Sequence, residues 1–283
     1  MAGTLHVVAT PLGNLEDLSP RAVRILGEVH TICAEDTRHT RPLLAHFGIT
    51  RPLLSLHEHN ERGRSDRVLA LLGDGHDVAL VSDAGTPGVS DPGSVLVAAV
   101  VEAGYRVSPV PGPSALATAL SVSGFAESST SVLFLGFLEP KGKSREEQLL
   151  QVVAHSGLVV LYESPHRVAD TLSALAARMP TRRVCLGREL TKLYEEVRTT
   201  TLAELATWAQ GEVRGEITLV LGPLQQEVVR LEDAQVDAAL KRCLAAGLSA
   251  RDASTAVAAV LTLPRREVYA RCQMLRAESD DAS

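Results

Sequence analysis

Over the first 120 residues, short runs dense in valine and leucine alternate with segments of helical length, and this alternation restricts the fold more than any other feature. The runs are LHVVATP, TICAED, LLSLHEH, DVALVSD and RVSPVPG; the segments following each are SPRAVRILGEV, RPLLAHFG, RSDRVLALLGDG, GSVLVAAVVEAG and SALATALSVSG. Strands apolar on both faces need cover on both faces, so the pattern predicts a mainly parallel sheet between helical layers. Ser19 before Pro20 predicts a helix start, with the hydroxyl as cap and the proline in the first turn.

GFAESST at 124–130 interrupts the pattern, and the boundary of an N-terminal α/β domain, 1–123, falls there. A second series follows: SVLFLGFLEP, KGKSREEQLLQVVAH, GLVVLYESP, HRVADTLSALAARM, RRVCLGREL, EEVRTTT, LAELATWAQ and GEITLVLGP. EEVRTTT alternates like an exposed antiparallel strand, so residues 124–224 read as a second α/β domain with a mixed sheet. From 225 onward strands give way to three short helices, with Ser249 and Pro264 as helix starts, which suits a helix-turn-helix-like tail, 225–283. Between Lys241 and Arg276 stand seven basic residues (Lys241, Arg242, Arg251, Arg265, Arg266, Arg271, Arg276) against two acidic ones, Asp252 and Glu267. This is either a nucleic-acid patch or an ordinary solvated helix face.

A chain of 283 residues, 45% hydrophobic, can bury a substantial core. Its apolar runs are too short for a bilayer span and its first residues do not look like a leader, so a soluble cytoplasmic protein is expected. Cys33, Cys185, Cys243 and Cys272 are scattered without a CxxC pair and read as small buried apolar residues. A net charge of −6 argues against a chain that coats nucleic acid nonspecifically, which leaves a local patch as the only route to RNA or DNA.

The unusual residues sit at strand ends: TPLGN (10–14), EDTRHTR (35–41), HEHNE (57–61), SDAGTPGVSDPG (82–93) and PGPSA (111–115), then YESPHR (162–167) and GRELTK (187–192). Ligands of open parallel sheets bind beyond the carboxyl ends of the strands, so these loops describe the walls of a cleft between two domains. SDAGTPGVSDPG lacks the lysine of a GxxxxGK[ST] loop and does not match GxGxxG, and its aspartates would repel a polyphosphate. A neutral or cationic ligand is expected, approached closely by glycine backbone, with Asp83 facing it. Asp91, before Pro92, is read mainly as the cap of the next helix. His57, His59 and Glu61 have candidate metal-ligand chemistry, but the every-second-residue spacing also fits a strand end and no further cluster completes a shell, so no metal is expected. Glu35, Asp36, Arg38 and Arg41, acids and arginines together after a buried strand, suit a polar substrate.

TPLGNLEDLSPRA, AEDTRHT, HEHNE, VSDAGTPGVSDPG, VPGPSA, YESPHR and GRELTKLYEE, in this order and spacing, resemble the ribosomal RNA small subunit methyltransferase I family of the tetrapyrrole-methylase superfamily. The resemblance covers about residues 4–222, and the tail is similar to that family's small helical tail. It implies two α/β domains, S-adenosylmethionine as methyl donor, a homodimer, and methyl transfer to the ribose 2′-oxygen of a cytidine in the decoding region of 16S rRNA. Carried onto this sequence, the donor would contact Pro11, Leu12, Asp83, Ala84, Gly85, Thr86, Val89, Ser114 and Ala115, with Tyr162, Leu190 and Ile217 from the second domain. Arg38 would meet a phosphate and Asn60 or Glu61 the nucleotide, with Arg167 also on the substrate side.

Methyl transfer from a sulfonium depends on in-line positioning, and a ribose hydroxyl needs help in losing its proton. Glu189 and Lys192 of GRELTK are candidate helpers by residue type and location, a lysine of lowered pKa being one form such help takes; a structural pairing of Glu189 with Arg188 or another base is the competing reading. Two other functions stay open at this point: a methylase of a tetrapyrrole precursor, and a noncatalytic nucleic-acid-binding protein in which the tail does the binding. A dinucleotide oxidoreductase is disfavoured by the missing fingerprint.

Overall fold

The computed structural model describes residues 2–57, 60–125, 131–224, 233–261 and 263–280. Packing divides the chain into two compact units, 1–224 and 225–283.

The first unit contains two five-stranded sheets. In the first, β1 (Thr4–Val8), β2 (Thr31–Ala34), β3 (Leu53–Ser55), β4 (Val78–Val81) and β5 (Arg106–Val110) are ordered β3-β2-β4-β1-β5, with every pairing parallel. Every residue of β2 and β4 is buried, as expected of interior strands covered on both faces. Pro109, unable to donate to a ladder, stands on edge strand β5. The covering helices are α1 (Pro20–Glu28), α2 (Thr37–His46), α3 (Glu61–Gly73) and α4 (Ser94–Glu102). The Ser19 hydroxyl accepts from Ala22 N–H, the predicted cap.

Asp91 does not cap α4. The residue before that helix is Gly93, at φ 127°, and no side chain next to it in sequence caps the helix. The buried Glu61 carboxylate supplies the cap instead, its Oε1 accepting from Leu96 N–H at 3.0 Å. A carboxylate suits the positive end of a helix, and here it comes from 35 positions upstream. Pro92 therefore lies outside the helix, and Asp91 is released for another role.

α5 (Ala115–Val122) follows β5, yet its Ala119 packs with Val160, Cys185, Leu190 and Val220 of the second half. The second sheet is mixed. β6 (Val132–Phe137) runs parallel to β7 (Leu158–Glu163); β10 (Ile217–Leu221) lies antiparallel between β7 and β8 (Arg183–Arg188), and β9 (Glu196–Thr201) pairs antiparallel with β8. β10, ITLVL, is buried throughout, whereas edge strand β9 is largely exposed, the expected contrast between centre and margin. α6 (Lys143–Ala154), α7 (Val168–Ala176) and α8 (Leu202–Trp208) complete this half, α8 opening with a capping box made by Thr201 and Glu204. Arg182, buried beneath this sheet, donates to four carbonyls, of Val152, His155, Gly157 and Gly222.

The second unit holds α9 (Asp233–Ala245), α10 (Ala250–Leu261) and α11 (Arg265–Asp280) around Leu240, Ala253, Val257, Val268 and Cys272. Ser249 caps α10 through Asp252 N–H, and Arg271 pairs with both oxygens of Asp237 at 2.7 Å. Of the basic residues read as a patch, Lys241, Arg242, Arg251, Arg265 and Arg266 are exposed. Cys33, Cys185 and Cys272 are buried thiols, and burial pushes Cys33 up to about 12. Among the described residues, no helix is long and apolar enough to cross a membrane.

Candidate active site

Because the first sheet is parallel, the loops after its strands emerge on one side. Those after β1 and β4 are stitched by two backbone hydrogen bonds between Thr10 and Gly85, of 2.8 and 3.0 Å. The buried Thr10 hydroxyl donates to Ser82 O, and the Thr86 hydroxyl donates to Pro113 O, which ties in the loop after β5. Gly85 has φ 81°, and a side chain there would press on Leu12. This part of the loop is fixed before any ligand arrives.

The second half closes against this rim at two glycines. A Cβ on Gly136 would collide with the Ser90 hydroxyl, and one on Gly13 with the Lys192 side chain. Ser90, Glu189 and Thr191 hold left-handed backbone, φ 66°, 52° and 67°, a conformation that non-glycine residues adopt at an energetic cost and that often accompanies functional loops. Tyr162 of β7 adds a third tie, its hydroxyl accepting from Leu116 N–H in the first turn of α5. Burial raises the Tyr162 phenol above its ordinary value, although the Leu116 N–H works the other way.

Between the halves lies a cavity of about 340 Å³. Leu12, Asp83, Ala84, Gly85, Thr86, Val89, Ser114, Ala115, Tyr162 and Ile217, all expected donor contacts, line it together. Pro11 and Leu190 do not. Pro11 borders a neighbouring cavity of about 390 Å³, and Leu190, 7% exposed, points into the core with Val160 and Val220. The remaining walls are Ser90, Phe137, Ser164, Pro165, Thr218 and four acids: Glu35, expected on a polar substrate, Asp91, expected mainly as a helix cap, and Glu163 and Glu216, for which no ligand role was expected.

The cavity is therefore acidic. Burial, and then Glu35, pushes the Asp91 carboxyl up to about 7, with a hydrogen bond from Ser82 opposing. Glu35 is raised as well, by burial and then by Asp83. Asp83 is held at both oxygens: Oδ1 accepts from Asp36 N–H at 3.1 Å, and Oδ2 lies 3.2 Å from His39 Nδ1. Carboxylates crowded into a partly buried space oppose one another's ionisation, and a bound cation relieves that conflict.

Glu189 and Lys192 form a closed ionic cluster. Lys192 Nζ lies 2.9 Å from Glu189 Oε1 and 2.8 Å from Glu216 Oε2, and Glu189 also accepts from Glu216 N–H. Burial works to lower Lys192, but hydrogen bonds to Glu216 and Glu189 prevail and raise it, so the expected lowered lysine is not found. Glu189 is held below its ordinary value by Glu216 N–H and then by Lys192. Its cationic partner is Lys192; Arg188 pairs with Glu196.

The expected substrate residues are placed differently from one another. Arg38 is 88% exposed and grips Asp36, whose carboxyl falls to about 2 chiefly through that hydrogen bond. Asn60 accepts from His57 N–H and donates to its ring. Glu61 is buried on Leu96 N–H, away from the surface. Arg167 donates to Leu138 O and lies 3.6 Å from Glu163, a buried acid that also accepts from Thr171 at 2.6 Å. His59 lies outside the described residues; among those described, no three His, Cys, Asp or Glu side chains group to hold a metal.

A parallel sheet joined to a mixed one across such a cleft defines a class. The family described as Tetrapyrrole (Corrin/Porphyrin) Methylases matches residues 4–206. Solved structures share the fold: cobalt precorrin-4 methyltransferase, a cobalamin biosynthetic enzyme, has a TM-score of 0.61 at 15% identity, covering 77% of this chain and 94% of its own. Uroporphyrin-III C-methyl transferase from Thermus thermophilus, complexed with S-adenyl homocysteine, has a TM-score of 0.58 at 20% identity, covering 81% and 100%. Nearer relatives carry one name, ribosomal RNA small subunit methyltransferase I. That of Xylella fastidiosa (strain Temecula1) is 46% identical over 94% of this chain and 98% of its own length, and that of Synechocystis is 43% identical over 94% and 96%. The chain belongs to the ribosomal RNA small subunit methyltransferase I family, within the tetrapyrrole methylases.

Proposed function

We propose that this protein uses S-adenosylmethionine to methylate small-subunit ribosomal RNA, and that the acceptor is the ribose 2′-hydroxyl of a cytidine in the decoding region of 16S rRNA. The observation that carries the reading is the acidic cavity. S-adenosylmethionine, when bound, supplies an electrophilic methyl on a positively charged sulfur. The residues present fit such a ligand: Glu35, Asp83 and Asp91 form an acidic wall whose ionisation a bound cation favours, and the left-handed backbone at Gly85 lets the main chain approach without a side chain between. The volume lies within the roughly 300–1,000 Å³ of small-molecule sites.

In this reading Leu12, the stretch Asp83 to Thr86, Val89, Ser114, Ala115, Tyr162 and Ile217 hold the donor, while Pro11 and Leu190 support the wall from behind. Glu189 and Lys192 set the width of the cleft, since Lys192 joins both glutamates while resting on Gly13. Arg38, Asn60 and Arg167 line the approach of the RNA, and Glu61 acts through α4. The exposed basic residues of the helical tail add phosphate contacts. The partner is 16S rRNA or the assembled small subunit, the protein is a homodimer, and it works in the cytoplasm.

The test is incubation with methyl-labelled S-adenosylmethionine and unmodified small subunits, followed by nuclease digestion. Label on a cytidine ribose supports the proposal. Label on a base, or transfer to a porphyrin precursor with none to RNA, overturns it.

A further inference from the structure

The neighbouring cavity of about 390 Å³ shares Leu12 and Asp83 with the acidic one. Its other lining includes Pro11, Leu15, Pro42 and Leu43, apolar surface suited to a nucleobase, beside two imidazoles, His39 and His46. A nucleoside seated there with its ribose toward Leu12 and Asp83 would lie beside the acidic cavity.

His39 stands on the first turn of α2, its Nδ1 3.2 Å from Asp83 Oδ2. Against an ionised carboxylate, which only accepts, a neutral imidazole carries its proton on Nδ1 and keeps the lone pair of Nε2. Asp83 cannot turn away freely, because Asp36 N–H holds its other oxygen. The remaining groups are less suited to take a proton from a nucleotide in this cavity: His46, the other imidazole of its lining, has no carboxylate against it among the described ion pairs to fix its tautomer. Lys192 is protonated and doubly paired, Glu189 is spent on Lys192 and Glu216, and Asp91 and Glu35 line only the acidic cavity.

We propose that His39 accepts the proton of the ribose hydroxyl during methyl transfer and that Asp83 fixes the imidazole tautomer required; the assignment rests on the functional reading above. The hydroxyl oxygen keeps the O–H electron pair as it bonds the methyl carbon, the carbon–sulfur pair stays on sulfur, and the proton passes to Nε2 and then to water.

The experiment uses the full chain, small subunits and S-adenosylmethionine. His39→Ala should lower turnover at saturation by about 100-fold or more, the usual loss for a general base. Donor affinity by calorimetry and KM for subunits should change by less than about threefold, and added imidazole should restore part of the turnover. Nitrogen-15 histidine spectra should show the Nδ1–H tautomer at His39 in the wild type and its loss in Asp83→Asn. Near-wild-type turnover in His39→Ala, a defect confined to KM, failure of imidazole rescue, or an Nε2–H tautomer in the wild type would each overturn the assignment. A wild-type protein that transfers no methyl to subunits would instead overturn the functional reading, which the tautomer spectra do not depend on.

Discussion

The loop Ser82–Gly93, which lines the cavity, and the loop Arg188–Glu195, which meets the loop after β1 where Lys192 lies on Gly13, solve the same electrostatic problem in opposite ways. Both bear acids and both contain left-handed non-glycine residues. In the second, Lys192 pairs with both Glu189 and Glu216 within the protein. In the first, Asp83 and Asp91 have no lysine or arginine partner among the described ion pairs; Asp83 has only a histidine, and Asp91 retains its proton up to about pH 7. A loop that supplies its own counterion is a structural brace. One that does not is prepared for a cation from solution.

The largest expected effect is on the first loop. Gly85→Val puts a branched side chain at φ 81° against Leu12 and should weaken donor binding by about 100-fold or more while far-ultraviolet circular dichroism stays native. Unchanged calorimetric affinity would show that this backbone does not meet the donor.

Lys192→Met tests the brace by making the second loop resemble the first. The methionine stem still covers Gly13, but two carboxylates lose their cation, so stability should drop by about 1–2 kcal/mol in thermal or denaturant unfolding. A variant as stable as the wild type would show that the cluster is ornamental.

The two loops should also differ in pH dependence. Asp91 is raised from 3.8 to about 7, so between those values the folded state binds more protons than the unfolded one, and its contribution makes stability fall as pH rises. Asp91→Asn should flatten the unfolding free energy over that window. Glu189 is lowered, so its contribution has the opposite sign: present above the ordinary glutamate value and lost as pH falls through the folded one. Glu189→Gln should therefore remove stability at neutral pH but not in acid. Denaturation series from about pH 2 to 8 check both signs.

The smallest effect belongs to the tail. Replacing exposed Arg265 and Arg266 by alanine should weaken RNA binding modestly and lower the salt slope by roughly one per lost phosphate contact. An unchanged slope would make this face an ordinary solvated one.

The same contrast explains what could be read from residues alone. VALV, TICA and the Ser19–Pro20 start are local signals, and the parallel sheet places every loop after its strands on one side, so a cleft and most of the residues that line it were legible. The errors arose where a side chain found a partner far along the chain. Glu61 serves Leu96 N–H, which left Asp91 free of the capping role that its neighbour Pro92 suggested. Lys192 found Glu216, 24 positions on, which raised rather than lowered it. Glu35 was already read toward a polar substrate and His39 sat inside the same motif; the rule that found Asp83, an acid at the end of a buried parallel strand, applies equally to Glu35 and places it on the cavity. Asp91 and Glu216 carried no such signal, because their exposure to the cavity depends on how the two halves close.

A crystal structure of the protein with S-adenosylmethionine tests the central claim most directly. Donor density is expected between the sheets, bounded by Leu12, Gly85 and Tyr162, with the acids of the first loop beside it. Donor bound elsewhere, with this cavity filled only by water, would contradict it.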